Sequence, residues 1–263
     1  MSKLVKSWTG NDGRVHETNN NPDDELRIAP VMTPGIEEHL VSLTAPNSIE
    51  ADQYRILRNV IEGRATKGAT FVIGISSPMA GDGKTLTAIN LAGALAQAPT
   101  ARVLLLDADL RAPGVASFLG LRGTDGPGLV EAICDHRISL EDACKPSPAA
   151  NLVVVPARGE SAKVYELLSS PRLLELIESA RGRYDYVVID MPPLLPLPDC
   201  SLIVRCVDAI AIVISAHQTP RKLVEEAIRG FQSEKLIGFV LNNADSPLPR
   251  GYYYGKSKSR DGK

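Results

Sequence analysis

A three-layer α/β sandwich around a mostly parallel central sheet is the architecture this chain encodes, and three observations predict it. Short runs rich in β-branched residues recur near residues 70–76, 102–107, 151–155, 186–190, 208–215 and 236–242. Helix-compatible stretches near 50–63, 85–97, 128–134, 163–181 and 220–233 alternate with them. The runs are apolar almost throughout rather than alternating, the pattern of strands covered on both faces. Strand and helix in alternation call for parallel pairing with helices against the sheet.

The 263 residues suffice for one large core, expected over 42–246. Residues 1–41 differ in kind: they include Thr18-Asn-Asn-Asn-Pro-Asp-Asp-Glu25 and few large apolar side chains, so a flexible N-terminal arm is expected. Residues 247–263 form a second distinct segment, Arg250-Gly-Tyr252-Tyr253-Tyr254-Gly255 followed by Lys256, Lys258, Arg260 and Lys263, expected to be a flexible basic tail. A net charge of -2 provides no global attraction to nucleic acid, and no nucleic-acid partner is expected. The longest wholly apolar run, Ala209 to Ile214, falls far below the ~20 residues that cross a bilayer, and the start carries no signal-peptide core. Cys134, Cys144, Cys200 and Cys206 show no CxxC spacing, consistent with reduced and mostly buried thiols.

The first strand, Thr70-Phe-Val-Ile-Gly-Ile-Ser76, is too apolar for a sheet edge and suits a central position. Pro78-Met-Ala-Gly-Asp-Gly-Lys-Thr85 follows it, and then an alanine- and leucine-rich helix from Leu86 to Gln97 with no proline until Pro99. Strand, glycine loop and helix in that order are the context of a phosphate-binding P-loop. The segment Ala80, Gly81, Asp82, Gly83, Lys84, Thr85 and Leu86 is the candidate nucleotide cradle. Gly81 and Gly83 leave room for phosphate oxygens to approach backbone N–H groups. Lys84 brings a mobile positive charge to the β and γ phosphates and Thr85 a hydroxyl to Mg²⁺, both at the positive end of the helix. Pro78 stands where the usual pattern opens with glycine.

The second strand, Arg102-Val-Leu-Leu-Leu-Asp107-Ala-Asp109-Leu-Arg111, ends in two carboxylates and an arginine. Period-two geometry points Asp107 and Asp109 to one side, within reach of a metal-phosphate group at the carboxyl edge of the sheet. Tyr186-Val-Val-Ile-Asp190-Met-Pro-Pro193 is another such strand, with Asp190 placed for a metal-bound water. One aspartate at a strand end serves a turn or cap equally well. Three of them beside a lysine-threonine loop call for a cation, and Mg²⁺ with ATP is the natural occupant. Val207 to Ser215 and Leu236 to Asn243 read as two more buried strands. Asn242 ends the last one, where its amide can pair with an adenine edge or simply make a turn.

With these motifs in place, the chain resembles a bacterial tyrosine kinase of the capsule and exopolysaccharide type, a P-loop fold related to the MinD and ParA ATPases. The likeness spans about residues 42 to 255. Its most specific parts are Ser76 to Thr85, Asp107-Ala-Asp-Leu-Arg-Ala-Pro113 and Val187-Val-Ile-Asp-Met-Pro-Pro193. It implies that Lys84 binds ATP phosphates, Thr85, Asp109 and Asp190 serve Mg²⁺, Asp107 activates the incoming tyrosine hydroxyl, Arg111 assists catalysis, and Asn242 meets the adenine. The family's Glu-x-x-Arg-x-x-Arg helix, which docks subunits into a ring, is matched by Asp52-Gln-Tyr-Arg55-Ile-Leu-Arg58 with a shorter acid. Met79 occupies the place of the signature lysine by which MinD and ParA proteins reach across a dimer.

The resemblance further implies autophosphorylation of the tail at Tyr252, Tyr253 or Tyr254, although the same triplet can act as a sticky patch against a sheet edge. Members that carry no membrane segment depend on a separate membrane-bound polysaccharide chain-length or export protein as activator. That implies a cytoplasmic location at the inner face of the plasma membrane through a partner. The competing function is an ATP-hydrolysing switch that regulates such a partner without modifying tyrosine.

Overall fold

The computed structural model describes residues 35–121, 125–159, 162–196, 198–230 and 234–244. In chain order these form α1 (Val41–Thr44), α2 (Ile49–Glu62), β1 (Phe71–Ser76), α3 (Lys84–Ala96), β2 (Val103–Asp107), α4 (Val115–Phe118), α5 (Leu129–Cys134) and α6 (Leu140–Ala143). They continue with β3 (Lys145–Pro146), β4 (Leu152–Val155), α7 (Val164–Ser169), α8 (Pro171–Ala180), β5 (Tyr186–Asp190), α9 (Asp199–Val204), β6 (Ala209–Ser215), α10 (Arg221–Gly230) and β7 (Leu236–Asn242). The seven strands make one sheet in the order β3-β4-β2-β5-β1-β6-β7, parallel except for β3. The expected α/β architecture is therefore present.

Two apolar layers hold it together, and strand alternation sorts residues between them. Leu104, Leu106, Val187 and Ile189 face one layer, packed with α5 and α8 residues such as Ile133, Leu173 and Ile177. Val103, Leu105, Ile73, Ile75 and Val188 face the other, against Ile89, Leu91 and Leu95 of α3. Full burial of each such side chain stabilises by roughly 1.5–3 kcal/mol relative to exposure. β1 lies between β5 and β6, with Ile75 beside Asp190, while Asp107 of β2 is level with Asp190 on its other side. That register puts the carboxyl ends of three neighbouring strands abreast. A crevice beyond such ends is where open α/β sheets bind ligands.

Four expectations change in detail. The single helix expected over 163–181 is two, broken at Ser170 (φ −61°, ψ 136°), because Pro171 drives the preceding residue out of the helical region. Ser170 then caps α8 by accepting from Arg172 N–H. The folded unit begins before residue 42: Leu40 is fully buried and Glu37 N–H donates to the Phe118 carbonyl at 2.9 Å. β7 is an edge strand, not a buried one, with Phe239 at 51 % and Leu241 at 62 % exposure. The antiparallel β3 was not expected, since two residues carry no periodic signal. The tail with Tyr252, Tyr253 and Tyr254, and the arm up to residue 34, lie outside the described residues. Among the described residues no helix is long and apolar enough to cross a membrane.

Candidate active site at the carboxyl edge of the sheet

The loop from Ser77 to Gly83 joins β1 to α3, and its shape follows from its residues. Asp82 is nearly buried; its carboxylate accepts from Met79 N–H at 3.0 Å and from the Thr219 hydroxyl at 2.6 Å. Backbone bonds from Leu194 and Leu195 N–H to the Ser77 and Pro78 carbonyls tie the loop to the segment after β5. Gly83 adopts φ 95°, which strains any side chain, and a Cβ there would stand 2.0 Å from Asn242 Nδ2 and displace that amide. Gly83 is also the N-cap of α3 and offers no side-chain cap. The first N–H groups of a thirteen-residue helix thus open toward the crevice, as anion binding requires.

The strand-end acids converge on this loop. Lys84 Nζ stands 2.7 Å from Asp109 Oδ2, 3.5 Å from Asp190 Oδ1 and 3.2 Å from Thr85 Oγ1. Burial works against the ammonium, yet Asp190, Asp109 and Asp107 outweigh it and hold the Lys84 pKa above its ordinary value. Asp107 is fully buried; its two oxygens accept from Asp109 N–H at 3.3 Å and Val115 N–H at 3.1 Å. Burial, with Asp190 adding, raises its pKa well above the carboxylate range. Asp109 also accepts from Ala112 N–H at 3.2 Å.

Asp190 is the most exceptional of the three. Neither of its buried oxygens has a hydrogen-bond partner among the described residues. The Lys84 contact at 3.5 Å is an attraction between charges too long for a good hydrogen bond. Burial raises the Asp190 pKa to about 6, opposed mainly by Lys84. An unpartnered buried carboxylate beside Asp109 and the Thr85 hydroxyl is an all-oxygen donor set that suits Mg²⁺.

Other expected residues have different partners. Asn242 Nδ2 donates to the Asp82 carbonyl at 3.1 Å, so the amide secures the phosphate loop. Arg111 pairs through Nε and Nη2 with Asp199, a buried acid at the start of α9 that sequence reading did not single out; an aspartate opening a helix resembles an ordinary cap. Thr219 was missed for the same kind of reason. In α2, Asp52 pairs with Arg55 at 2.5 Å, and Arg55 also donates to Gln97 at 3.1 Å. Arg58 pairs with Glu62 at 2.7 Å and donates to the Ala94 carbonyl at 3.2 Å, so these charges have partners within the chain.

Comparison with known proteins identifies the family. A family model described as an AAA domain matches residues 70–231. The tyrosine-protein kinase YwqD of Bacillus subtilis (strain 168) is 31 % identical over 223 residues, covering 84 % of this chain and 92 % of YwqD. The succinoglycan biosynthesis transport protein ExoP of Rhizobium meliloti (strain 1021) is 32 % identical over 212 residues, 78 % of this chain but only 26 % of ExoP. The chain thus spans about a quarter of that larger relative. Among solved structures, the BceF tyrosine kinase domain superposes with a TM-score of 0.67 at 28 % identity, over 77 % of this chain and 81 % of that one. These similarities place the chain in the bacterial tyrosine-kinase family of P-loop ATPases.

Proposed function

We propose that this protein is an ATP-dependent protein-tyrosine kinase that phosphorylates tyrosines of its own tail and thereby regulates exopolysaccharide or capsule synthesis or export. The observation that carries the reading is the contact of Lys84 with the buried acids Asp109 and Asp190, with Asp107 level with Asp190 in the sheet, at the uncapped start of α3. ATP phosphates fit the loop N–H groups of residues 80–86, with Lys84 turning from Asp109 to the β and γ phosphates. Thr85, Asp109 and Asp190 would hold Mg²⁺, which when bound neutralises charge on the phosphates. A tyrosine hydroxyl, with pKa ~10, is protonated near neutrality. Asp107 has lone pairs beyond those used by its two backbone donors, and as a carboxylate it can accept the phenolic proton. As the phenolic oxygen bonds to the γ-phosphorus, the bond to the β,γ-bridging oxygen breaks, ADP leaves, and the phenolic proton passes to Asp107. Lys84 and the loop donors stabilise the charge on the phosphoryl in flight. Asn242 keeps the loop in register and turns the rest of its amide toward the adenine.

The name of ExoP, a succinoglycan biosynthesis transport protein, supports a partner of the same trade: a membrane-bound polysaccharide chain-length or export protein that activates the kinase and holds it at the inner face of the membrane. A ring of copies docked through Asp52, Arg55 and Arg58 requires those side chains to exchange their present partners. Phosphosite mapping after incubation with Mg-ATP tests the assignment. Phosphate on Tyr252, Tyr253 or Tyr254 in wild type, absent in Lys84→Met, supports it. ATP hydrolysis with unmodified tyrosines assigns a switch instead.

A further inference from the structure

Beside the candidate base lies a cavity of about 280 Å³ that the nucleotide site does not use. Pro113, Ala116, Leu121 and Ala157 form apolar wall, and Asp107 and Arg158 supply charged groups of opposite sign. A largely apolar pocket that also holds a carboxylate and the Ser117 hydroxyl suits an aromatic ring bearing a hydroxyl. Arg158 needs a further explanation, because its Nη1 is buried and has no hydrogen-bond partner among the described residues.

The placement of Arg158 is built, not incidental. It adopts φ 29°, a strained value for a residue with a side chain. The flanking backbone is pinned to the first turn of α5, where Leu129 N–H donates to the Pro156 carbonyl at 2.9 Å and Val130 N–H to the Ala157 carbonyl at 3.0 Å. Gly128 makes the approach feasible, since a Cβ there would lie 2.6 Å from Arg158 Cβ. Strain, a glycine opposite and two backbone bonds thus aim a guanidinium with an unused buried donor at the pocket of the base. Such a donor is satisfied by an anion, and guanidinium matches carboxylate and phosphate alike.

We propose that this cavity receives the acceptor tyrosine and that Arg158 is a specificity-determining residue, selecting acceptors that carry an anionic group next to that tyrosine. The inference rests on the kinase reading and adds to it which acceptors are preferred. The tail sets a consequence. Tyr252, Tyr253 and Tyr254 are flanked by Arg250 and Lys256, with no acidic neighbour, so the unmodified triplet lacks the anion. A first phosphate on the triplet supplies it, and a second tyrosine then becomes the better acceptor.

Binding of fluorescent peptides spanning residues 248–258 tests this, with the phosphate loop filled by a non-hydrolysable ATP analogue. Three peptides are compared: unmodified, phosphorylated at Tyr253, and carrying Gly251→Asp. Wild type is expected to bind the phosphopeptide about tenfold more tightly than the unmodified one, the scale of one charge-assisted hydrogen bond. Tightening by both anionic peptides assigns the site to any acidic neighbour; tightening by the phosphopeptide alone assigns it to phosphotyrosine. Arg158→Gly should bind all three equally, and it relieves the positive φ, so loss of preference is not loss of fold. Arg158→Lys should keep part of the preference. Equal binding of all peptides by wild type, or a preference that survives in Arg158→Gly, overturns the proposal. The readout is binding, so a protein that shows the preference yet transfers no phosphate would overturn the kinase reading and leave Arg158's selectivity standing.

Discussion

Lys84→Met removes the ammonium proposed to meet the ATP phosphates, and its effect reaches beyond catalysis. The lysine side chain is 8 % exposed and stands 2.7 Å from Asp109 and 3.5 Å from Asp190, themselves 3 % and 0 % exposed. Removing one partner of a buried ion pair costs about 3–5 kcal/mol, because the other charge stays buried without compensation. The upper part of that range is not reached: burial already raises Asp190 to about 6, so without the ammonium it takes up a proton instead of remaining charged. About 3 kcal/mol is the resulting loss. For a folded unit of this size, a kcal/mol moves the melting temperature by about 2–4 °C, so the ligand-free variant should melt about 6–12 °C below wild type. Lys84→Arg retains the charge and should recover most of the stability without recovering transfer. Calorimetry of the ligand-free proteins, beside phosphosite mapping of the same samples, reads both effects. A Lys84→Met protein that melts like wild type would refute the ion-pair account. Phosphotyrosine on Lys84→Met made alone in a host without tyrosine kinases would refute the transfer mechanism.

Three further outcomes follow from the same site. Gly83→Ala places a Cβ 2.0 Å from Asn242 Nδ2 at φ 95°, so it should lose about 1–3 kcal/mol of stability and most nucleotide affinity, read by chemical denaturation and ADP titration. Thr219→Val removes the hydroxyl that donates to Asp82 at 2.6 Å; one lost donor to a nearly buried carboxylate should cost about 1–3 kcal/mol and raise KM for ATP, whereas Thr219→Ser should behave as wild type. Asp199→Ala frees Arg111 from its buried partner; since Arg111 is 44 % exposed and water takes over much of its solvation, stability should fall by only about 1 kcal/mol while kcat falls with KM for ATP unchanged, in steady-state kinetics.

What could be read from the chain alone was whatever is carried by neighbours in sequence. The phosphate loop was legible because the strand, the turn glycines and the helix that make it lie within a few turns of one another, Phe71 to Ala96. The acids Asp107 and Asp190 were legible because each ends an apolar run, and parallel strands present their carboxyl ends on one edge. Ser170 was not, although the rule that breaks a helix before Pro171 is local; helical periodicity on both sides masked it. Tertiary structure alone decided the rest. Asp82 finds Thr219 across 137 residues and Asn242 across 160, Arg111 finds Asp199 across 88, and nothing in the local pattern of either partner names the other. The same holds for β7: its run is as apolar as a central strand, and only its place in the sheet order leaves Phe239 and Leu241 exposed. Backbone preferences act over a few residues, whereas the packing of one side chain against another is chosen by the whole sheet.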